Sequence, residues 1–355
     1  MKPITELPEF DSHELISFIS DKKTGLNGFI VIHNTNLGPA TGGTRYWPYP
    51  SEETALRDGL CLARAMTYKC ALAGLPYGGG KAVLLANTRK QKTKEYLAAY
   101  AARINLLNGK YYTGEDVGIN QKDVDILAKY SKFIVGRKNL GGKLAPWAAL
   151  GVFSAMKAAL YEIFGNKKIS ERTFAIKGLG KVGFELANLI YKEGGRLIGA
   201  DINQNAVKTA KKTFPKIKIV RAQEIHKEKI DVYAPCAMGG EFNPKTAREL
   251  RAAIVCGGAN NQLSSNNIGE ILHKKGILYI PDYLANAGGL INVVGELRQD
   301  GYNKKWVEKK TRDIEKTAKR VIELSKKQRK PTYKIADQLA KNKFQKKQQV
   351  QKFLL

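Results

Sequence analysis

The sequence predicts an α/β protein of two domains, the second built on a parallel sheet wound with helices on both faces. Three observations predict it. A length of 355 residues is more than one hydrophobic core usually organises. From Thr173 onward, short apolar runs alternate with helical stretches, which is the pattern of a covered parallel sheet. The first of those runs ends in a glycine-spaced turn, GLGKVG, that opens a helix.

The first 140 residues mix strands and helices. GFIVIHN (28–34) and KAVLLA (81–86) are rich in branched apolar residues and predict strands. Between them, Glu52 to Ala71 predicts a helix with Ser51 as its N-cap and Glu53 in the first turn. TKEYLAAYAARINLLNG (93–109) predicts a second helix that stops at Asn108-Gly109. RKNLGGKLAPW (137–147) has the Gly and Pro content of a hinge. ALGVFSAMKAALYEIFG (149–165) predicts a helix leading into the alternating half. There the strands are TFAIK, RLIGADIN, KIKIV (216–220), DVYAPC (231–236), AAIVCGG (252–258) and GILYIPD (276–282). Beyond them, Val307, Ile314, Ala318, Val321, Ile322 and Leu324 recur at helical spacing among lysines, and the stretch from Lys341 is low in complexity and expected to fray. The domains are therefore expected at 1–140 and 141–290, with C-terminal helices over 291–340 and a basic tail over 341–355.

The turn places Gly178, Gly180 and Gly183 in the G-x-G-x-x-G spacing, with Leu179, Lys181 and Val182 between them. After a strand and before a helix, these glycines suit a dinucleotide. The first permits the tight turn, the second lets backbone approach a pyrophosphate, and the third lets strand and helix pack closely. Asp201 follows Gly178 by 23 residues, at the end of the next strand. A carboxylate there accepts bonds from ribose hydroxyls and repels a 2′-phosphate, which favours NAD over NADP. The second domain is thus expected to be of Rossmann type.

Composition excludes several classes. Cys61, Cys70, Cys236 and Cys256 form no C-x-x-C pair, and His13, His33, His226 and His273 are far apart. That pattern favours reduced thiols and a cytoplasmic setting over a disulfide framework or a metal site. No apolar run of the length a membrane span needs stands out, and MKPITELPEF lacks the apolar stretch of a signal peptide. The net charge is +28, and residues 301–355 alone hold 18 Lys and Arg against 5 Asp and Glu. Such an excess attracts polyanions. Without interleaved aromatics it reads as a solvated helical face, so nucleic acid is not the expected partner.

An NAD domain needs a partner that holds the substrate, and MTYKCALAGLPYGGGKAVLL (66–85) supplies two lysines, Lys69 and Lys81, in the other half. Half-buried lysines are costly unless they meet anions. One can bind a carboxylate; the other, crowded by positive charge and apolar neighbours, can serve as a base.

These stretches resemble the amino acid dehydrogenases of the glutamate/leucine/phenylalanine/valine family, and most closely the leucine/phenylalanine branch. The resemblance rests on LGPATGGTR (37–45), MTYK (66–69), GGGKAV (78–83), YYTGEDVG (111–118), GVFSAMKA (151–158), GLGKVG (178–183), APCAMGG (234–240), GANNQL (258–263) and PDYLANAGGLINV (281–293), in that order. It implies two domains with a cleft between them, a homo-oligomer, and NAD-dependent oxidative deamination of an apolar or aromatic L-amino acid.

The resemblance also implies roles. Lys69 would hold the substrate carboxylate, Lys81 would activate a water, and Asp116 would shuttle a proton to and from the amino group. Asn260 and Asn286 would fix substrate and nicotinamide, and Gly42 and Gly43 would let backbone approach the amino acid. Thr41, Gly114, Leu290 and Val293 would face the side chain; none is charged, which argues against glutamate. Gly114 in place of alanine, and Leu290 in place of valine, would leave room for an aromatic ring and cover its face. Ala237 and Met238 would line the cofactor beside the glycine turn, and the helix from Trp306 would return to the first domain. Ala148 stands where the family often has a threonine near the nicotinamide, and LLANT (84–88) where it has GDP. The alternative is an NAD(H)-binding regulator that turns its basic C-terminal face to nucleic acid; an intact Lys69, Lys81 and Asp116 would be superfluous to it.

Overall fold

The computed structural model describes residues 3–86, 92–137 and 140–351, with side chains to Gln345. Asn87 and Thr88 of the LLANT stretch, and Lys138 and Asn139 of the expected hinge, lie outside the described residues. The chain forms two compact units. The first is Met1–Gly142 with Val293–Tyr302 and Leu339–Leu355; the second is Lys143–Asn292 with Asn303–Gln338.

The first unit is built on a mixed sheet. Strand β1 (Leu15–Asp21) and β2 (Leu26–Asn34) form an antiparallel hairpin whose turn ends at Gly25, φ 75°. Strand β5 (Gly78–Leu85) runs antiparallel to β2 and parallel to β3 (Ala40–Thr41) and β4 (Thr44–Trp47), and β6 (Tyr111–Tyr112) adds to β3. Both faces of β2 are covered, so its apolar run is unbroken. Phe29 and Val31 pack with Leu56, Leu60 and Ala63 of helix α1 (Glu52–Ala73). Ile30 and Ile32 face the other way, toward Leu97, Tyr100 and Ile104 of α2 (Lys94–Asn105) and Val124 of α3 (Gln121–Leu127). Ser51 caps α1 by accepting from Thr54 N–H, and Gly74 ends it in the left-handed region, φ 63°.

In the second unit, α4 (Ala145–Phe164) leads into β7 (Thr173–Lys177), α5 (Lys181–Lys192), β8 (Arg196–Ala200), α6 (Gln204–Thr213) and β9 (Lys218–Ile219). Then come β10 (Ile230–Pro235), α7 (Pro244–Glu249), β11 (Ala252–Val255), α8 (Asn266–Lys274) and β12 (Leu278–Tyr279). The six strands are parallel, in the order β12-β11-β10-β7-β8-β9. Numbered within the unit this is 3-2-1-4-5-6 read from β9, the doubly wound order, and its switch point lies at β7. A single 3₁₀ turn, Ile225–Lys227, replaces a helix between β9 and β10.

The C-terminal part is α9 (Asp282–Ala285), α10 (Gly288–Gly295), α11 (Lys304–Arg312), α12 (Ile314–Gln328) and α13 (Thr332–Gln351). The lysine-rich α11 and α12 do not return to the first unit as the resemblance implied. Their apolar stripe packs on α4, within the second unit. The segments that join the first unit are 293–302 and 339–355. In the former, Glu296 accepts from the backbone N–H groups of Gly136, Arg137 and Gly141 at 2.9, 3.3 and 3.1 Å, closing the end of the hinge stretch. In the latter, Phe344 packs edge-on against His33 and Tyr68, and Lys343 Nζ donates to the Ala71 carbonyl. The stretch after Lys341, expected to fray, continues α13 to Gln351. Helix α4 is long and apolar enough to cross a membrane by length and composition, contrary to the reading that no such run exists, and more than half of it is buried in the fold. All four cysteines are free thiols.

Candidate active site

In the first unit the sheet brings two of the expected residues into direct contact. Lys81 lies in β5 and is 5% exposed. Its Nζ donates to Asp116 Oδ2 at 2.6 Å. Asp116 sits in the segment after β6 and also accepts from Arg45 Nε at 3.4 Å. Burial alone would push the Asp116 carboxyl up; Lys81 and then Arg45 outweigh it and hold the group below the ordinary carboxylate range. Crowding by a second cation was the expected environment of Lys81. Its ion-pair partner is a carboxylate, and Arg45 is a second cation on the same oxygen. Lys69 is half-buried on α1, and Thr41 is buried in β3.

Glycines wall this pair. A Cβ at Gly43 would lie 2.4 Å from the Glu115 carbonyl oxygen and 3.0 Å from Asp116 Cβ. A Cβ at Gly42 would lie 2.0 Å from the Gly80 carbonyl oxygen. At both glycines it is protein backbone that approaches closely. Gly114 is constrained in the same way. A Cβ there would lie 2.5 Å from the Val135 carbonyl oxygen, and Gly114 itself accepts from Thr44 N–H at 3.0 Å. The missing methyl is thus required by the fold, so it says little about room for a ring. Leu290 and Val293 lie one helical turn apart on α10, both half-buried.

In the second unit the remaining residues gather at the carboxyl ends of β7, β10 and β11. Gly178 has φ 96°, and a Cβ on it would lie 2.7 Å from Ala237 N. A Cβ at Gly183 would lie 1.9 Å from the Gly178 carbonyl oxygen. Gly180, the N-cap of α5, has nothing within 4 Å of its Cβ position. The first and third glycines are therefore demanded by packing, and the second leaves open space before the helix N-terminus. Leu179, Lys181 and Val182 form the turn and the start of α5. Asp201 follows β8 and is tied to this turn: Oδ2 accepts from Leu179 N–H at 2.6 Å, and Oδ1 from Asn203 N–H at 2.7 Å. Ala237 and Met238 are exposed in the loop after β10.

Asn286 Nδ2 donates to Asn260 Oδ1 at 2.8 Å and to the Gly258 carbonyl at 3.2 Å. Its Oδ1 is buried without a partner. So is Oε1 of Gln262, whose Nε2 donates to the Gly257 and Ala259 carbonyls at 2.9 and 3.0 Å. Buried acceptors without donors are costly. Asn260 and Gln262 follow β11, at the carboxyl end of the sheet, where doubly wound folds take their ligands. Ala148 lies half-buried near the start of α4, with no hydroxyl to offer.

Sequence reasoning assigned no role to Arg45, Asp58 and Tyr49. Arg45 Nη1 donates to Asp58 Oδ2 of α1 at 3.0 Å, and the Tyr49 hydroxyl donates to the same oxygen. The available signal was a lone arginine on a short strand, beside a glycine pair.

Residues 13–133 match the family described as Glu/Leu/Phe/Val dehydrogenase, dimerisation domain, and residues 200–351 match Glutamate/Leucine/Phenylalanine/Valine dehydrogenase. The glycine turn falls between the two matches. The chain is 43% identical over 340 residues to a leucine dehydrogenase of Bacillus cereus, covering 95% of this chain and 92% of that one. It is 40% identical over 352 residues to a phenylalanine dehydrogenase of Caldalkalibacillus thermarum, covering 97% and 95%. Among solved structures, an L-tryptophan dehydrogenase of Nostoc punctiforme superimposes with TM-score 0.83 at 38% identity, covering 95% and 97%.

Proposed function

The chain belongs to the Glu/Leu/Phe/Val dehydrogenase family and is an amino acid dehydrogenase, and from that premise we propose how it works and on what. The substrate is an apolar or aromatic L-amino acid, deaminated reversibly to its 2-oxo acid and ammonia, with NAD as the nucleotide. The first unit holds the substrate and the second the dinucleotide. The observation that carries this reading is the buried contact between Lys81 and Asp116. The test is NAD reduction with a panel of L-amino acids; no activity with any apolar or aromatic member sinks it.

NAD, when bound, accepts a hydride from the substrate Cα. Gly178, Gly180, Gly183 and the N-terminus of α5 would hold its pyrophosphate, and Asp201 its ribose hydroxyls. Ala237 and Met238 would flank it, and Asn260 and Asn286 would orient the nicotinamide and substrate. On the substrate side, Lys69 binds the carboxylate. Asp116 takes a proton from the substrate ammonium, because only the neutral amine can become an iminium. Lys81 as a neutral amine takes a proton from the water that attacks the iminium carbon. Asp116 gives the ammonium's proton back to the departing nitrogen, and its 2.6 Å contact with Lys81 then offers the water's proton a path to the freed carboxylate.

Asp201→Ala should raise the Kd for NADH about tenfold or more in a fluorescence titration. It removes the ribose acceptor and leaves Leu179 N–H and Asn203 N–H without their carboxylate partner. If the unmutated protein prefers NADP, this role for Asp201 fails.

An aromatic substrate is favoured over leucine by Leu290, where the resemblance implies a valine in a leucine-specific enzyme. The expected kcat/KM ratio of phenylalanine to leucine exceeds one and stays within about 10- to 200-fold, the reach of a methylene-scale pocket difference. Leu290→Val should lower the ratio; a ratio below one in the unmutated enzyme refutes the preference. Gly114→Ala is the poorer probe, because its methyl meets the Val135 carbonyl.

A homo-oligomer is supported by β1. It is the edge strand of its sheet and exposes Phe18, 51% accessible, on Phe29. Sedimentation of the purified chain tests this.

A further inference from the structure

Asp116 Oδ2 has two cations on it, and the proposed chemistry accounts for only one. We infer that Arg45 is a positioning residue for this reaction, the fixed cation that keeps the Asp116 carboxylate ionised and in place while Lys81 is in the neutral form its role as base requires. The inference rests on the reading of Lys81 and Asp116 given above.

The sheet explains why Arg45 is there. β4 runs parallel to β5 with Arg45 opposite Val83, and Val83 lies two residues beyond Lys81. Side chains two apart on a strand share a face, so Arg45 and Lys81 point the same way, toward α1. Asp116 enters that face from the segment after β6. Arg45 uses its fork on two carboxylates at once: Nε on Asp116 at 3.4 Å and Nη1 on Asp58 at 3.0 Å. Asp58 is fixed on α1 and accepts the Tyr49 hydroxyl on the same oxygen. A planar guanidinium anchored at one end by a helix is immobile at the other; a lysine could not bridge both. Lys81 meets the same oxygen end-on, through one contact at 2.6 Å on a flexible stem.

The division of labour follows. A carboxylate that must take a proton from the substrate ammonium has to be ionised when substrate arrives. The groups that face Asp116 are Lys81 from β5, Arg45 from β4 and the Val117 N–H from its own segment, with Asp58 and Tyr49 behind Arg45 and the buried Tyr111 hydroxyl nearby. Burial raises the carboxyl, and the two cations more than offset it. If Lys81 were the only partner, its neutral form would leave a buried carboxylate without a counter-charge. Arg45 prevents that.

The test compares pH profiles of kcat/KM for Arg45→Gln, Arg45→Lys, Asp58→Asn and Asp116→Asn. Arg45→Gln should lower kcat by about tenfold or more, leave the KM for NAD unchanged and move the acid limb up by about one unit, the low end of what a neighbouring guanidinium does to a carboxylate. Arg45→Lys should restore the limb but not kcat, since it keeps the charge and loses the fork. Asp58→Asn should lower kcat while the limb stays, since Arg45 keeps its charge. An unshifted limb in Arg45→Gln, in a background where Asp116→Asn is inactive, overturns the role of Arg45 alone. Full activity in Asp116→Asn overturns the reading of the site and this role with it. Should Arg45→Gln fail to fold, Arg45→Lys decides: wild-type kcat overturns the inference.

Discussion

Lys81→Ala will abolish turnover and leave NADH binding as it was. The loss should be at least the 10²–10⁴-fold typical of a general base. In the proposed sequence the missing amine also carries the proton between water and Asp116. The fold should survive, because Asp116 keeps Arg45 and the Val117 N–H. NADH affinity should not move, because the glycine turn, Asp201 and the Asn260–Asn286 pair all belong to the second unit. The measurements are kcat with phenylalanine and NAD, and an NADH fluorescence titration of the same preparation. Activity within threefold of the unmutated enzyme refutes the role of Lys81.

Gly183→Ala should do the reverse, abolishing NADH binding in the same titration. Its methyl would lie 1.9 Å from the Gly178 carbonyl oxygen and 3.1 Å from Cys236 Cβ. Backbone rather than a flexible side chain stands in the way, so α5 must retreat from β7. That displacement moves the α5 N-terminus away from the pyrophosphate, where its N–H groups and dipole act. The overpacking should cost about 1–3 kcal/mol and lower Tm by several degrees. Gly180→Ala is the control for packing. Nothing lies within 4 Å of its Cβ, so Tm should hold while the nucleotide loses its space. An unchanged Kd for NADH in Gly183→Ala would sink the assignment of this turn.

The second unit was the more legible in the sequence, for a physical reason. Its strands are covered on both faces and so appear as apolar runs, and all but β9 are followed by a helix. β12 and β9 were placed correctly but shrink to two residues each, because at the sheet edges pairing ends early. The first unit hid more. β1 (LISFISD) alternates weakly, being an edge strand, and was missed; β3, β4 and β6 have two to four residues and no periodicity to read. Helical spacing identified the apolar stripe of α12 but could not say which surface it covers.

The site divides in the same way. Lys81, Asp116 and the glycines were found through motifs, local strings that survive on paper. The Arg45–Asp58–Asp116 network was not, since its members come from a strand, a helix and a loop, joined only by folding. Gly42, Gly43 and Gly114 were marked, but not the backbone carbonyls that each of them meets, because a glycine in a sequence says that something approaches closely and not what.

The first unit is not one continuous stretch of chain. Residues 1–142 lack its last segment until residues 339–355, with Phe344 and Lys343, have been made. During synthesis some 200 residues intervene, roughly 10–40 s at ribosomal rates of about 5–20 residues per second. Through that interval the face of His33 and Tyr68 waits uncovered while the second unit emerges and can fold. The unit that is begun first is therefore finished last, and the contacts that close it are among the longest in sequence the protein makes.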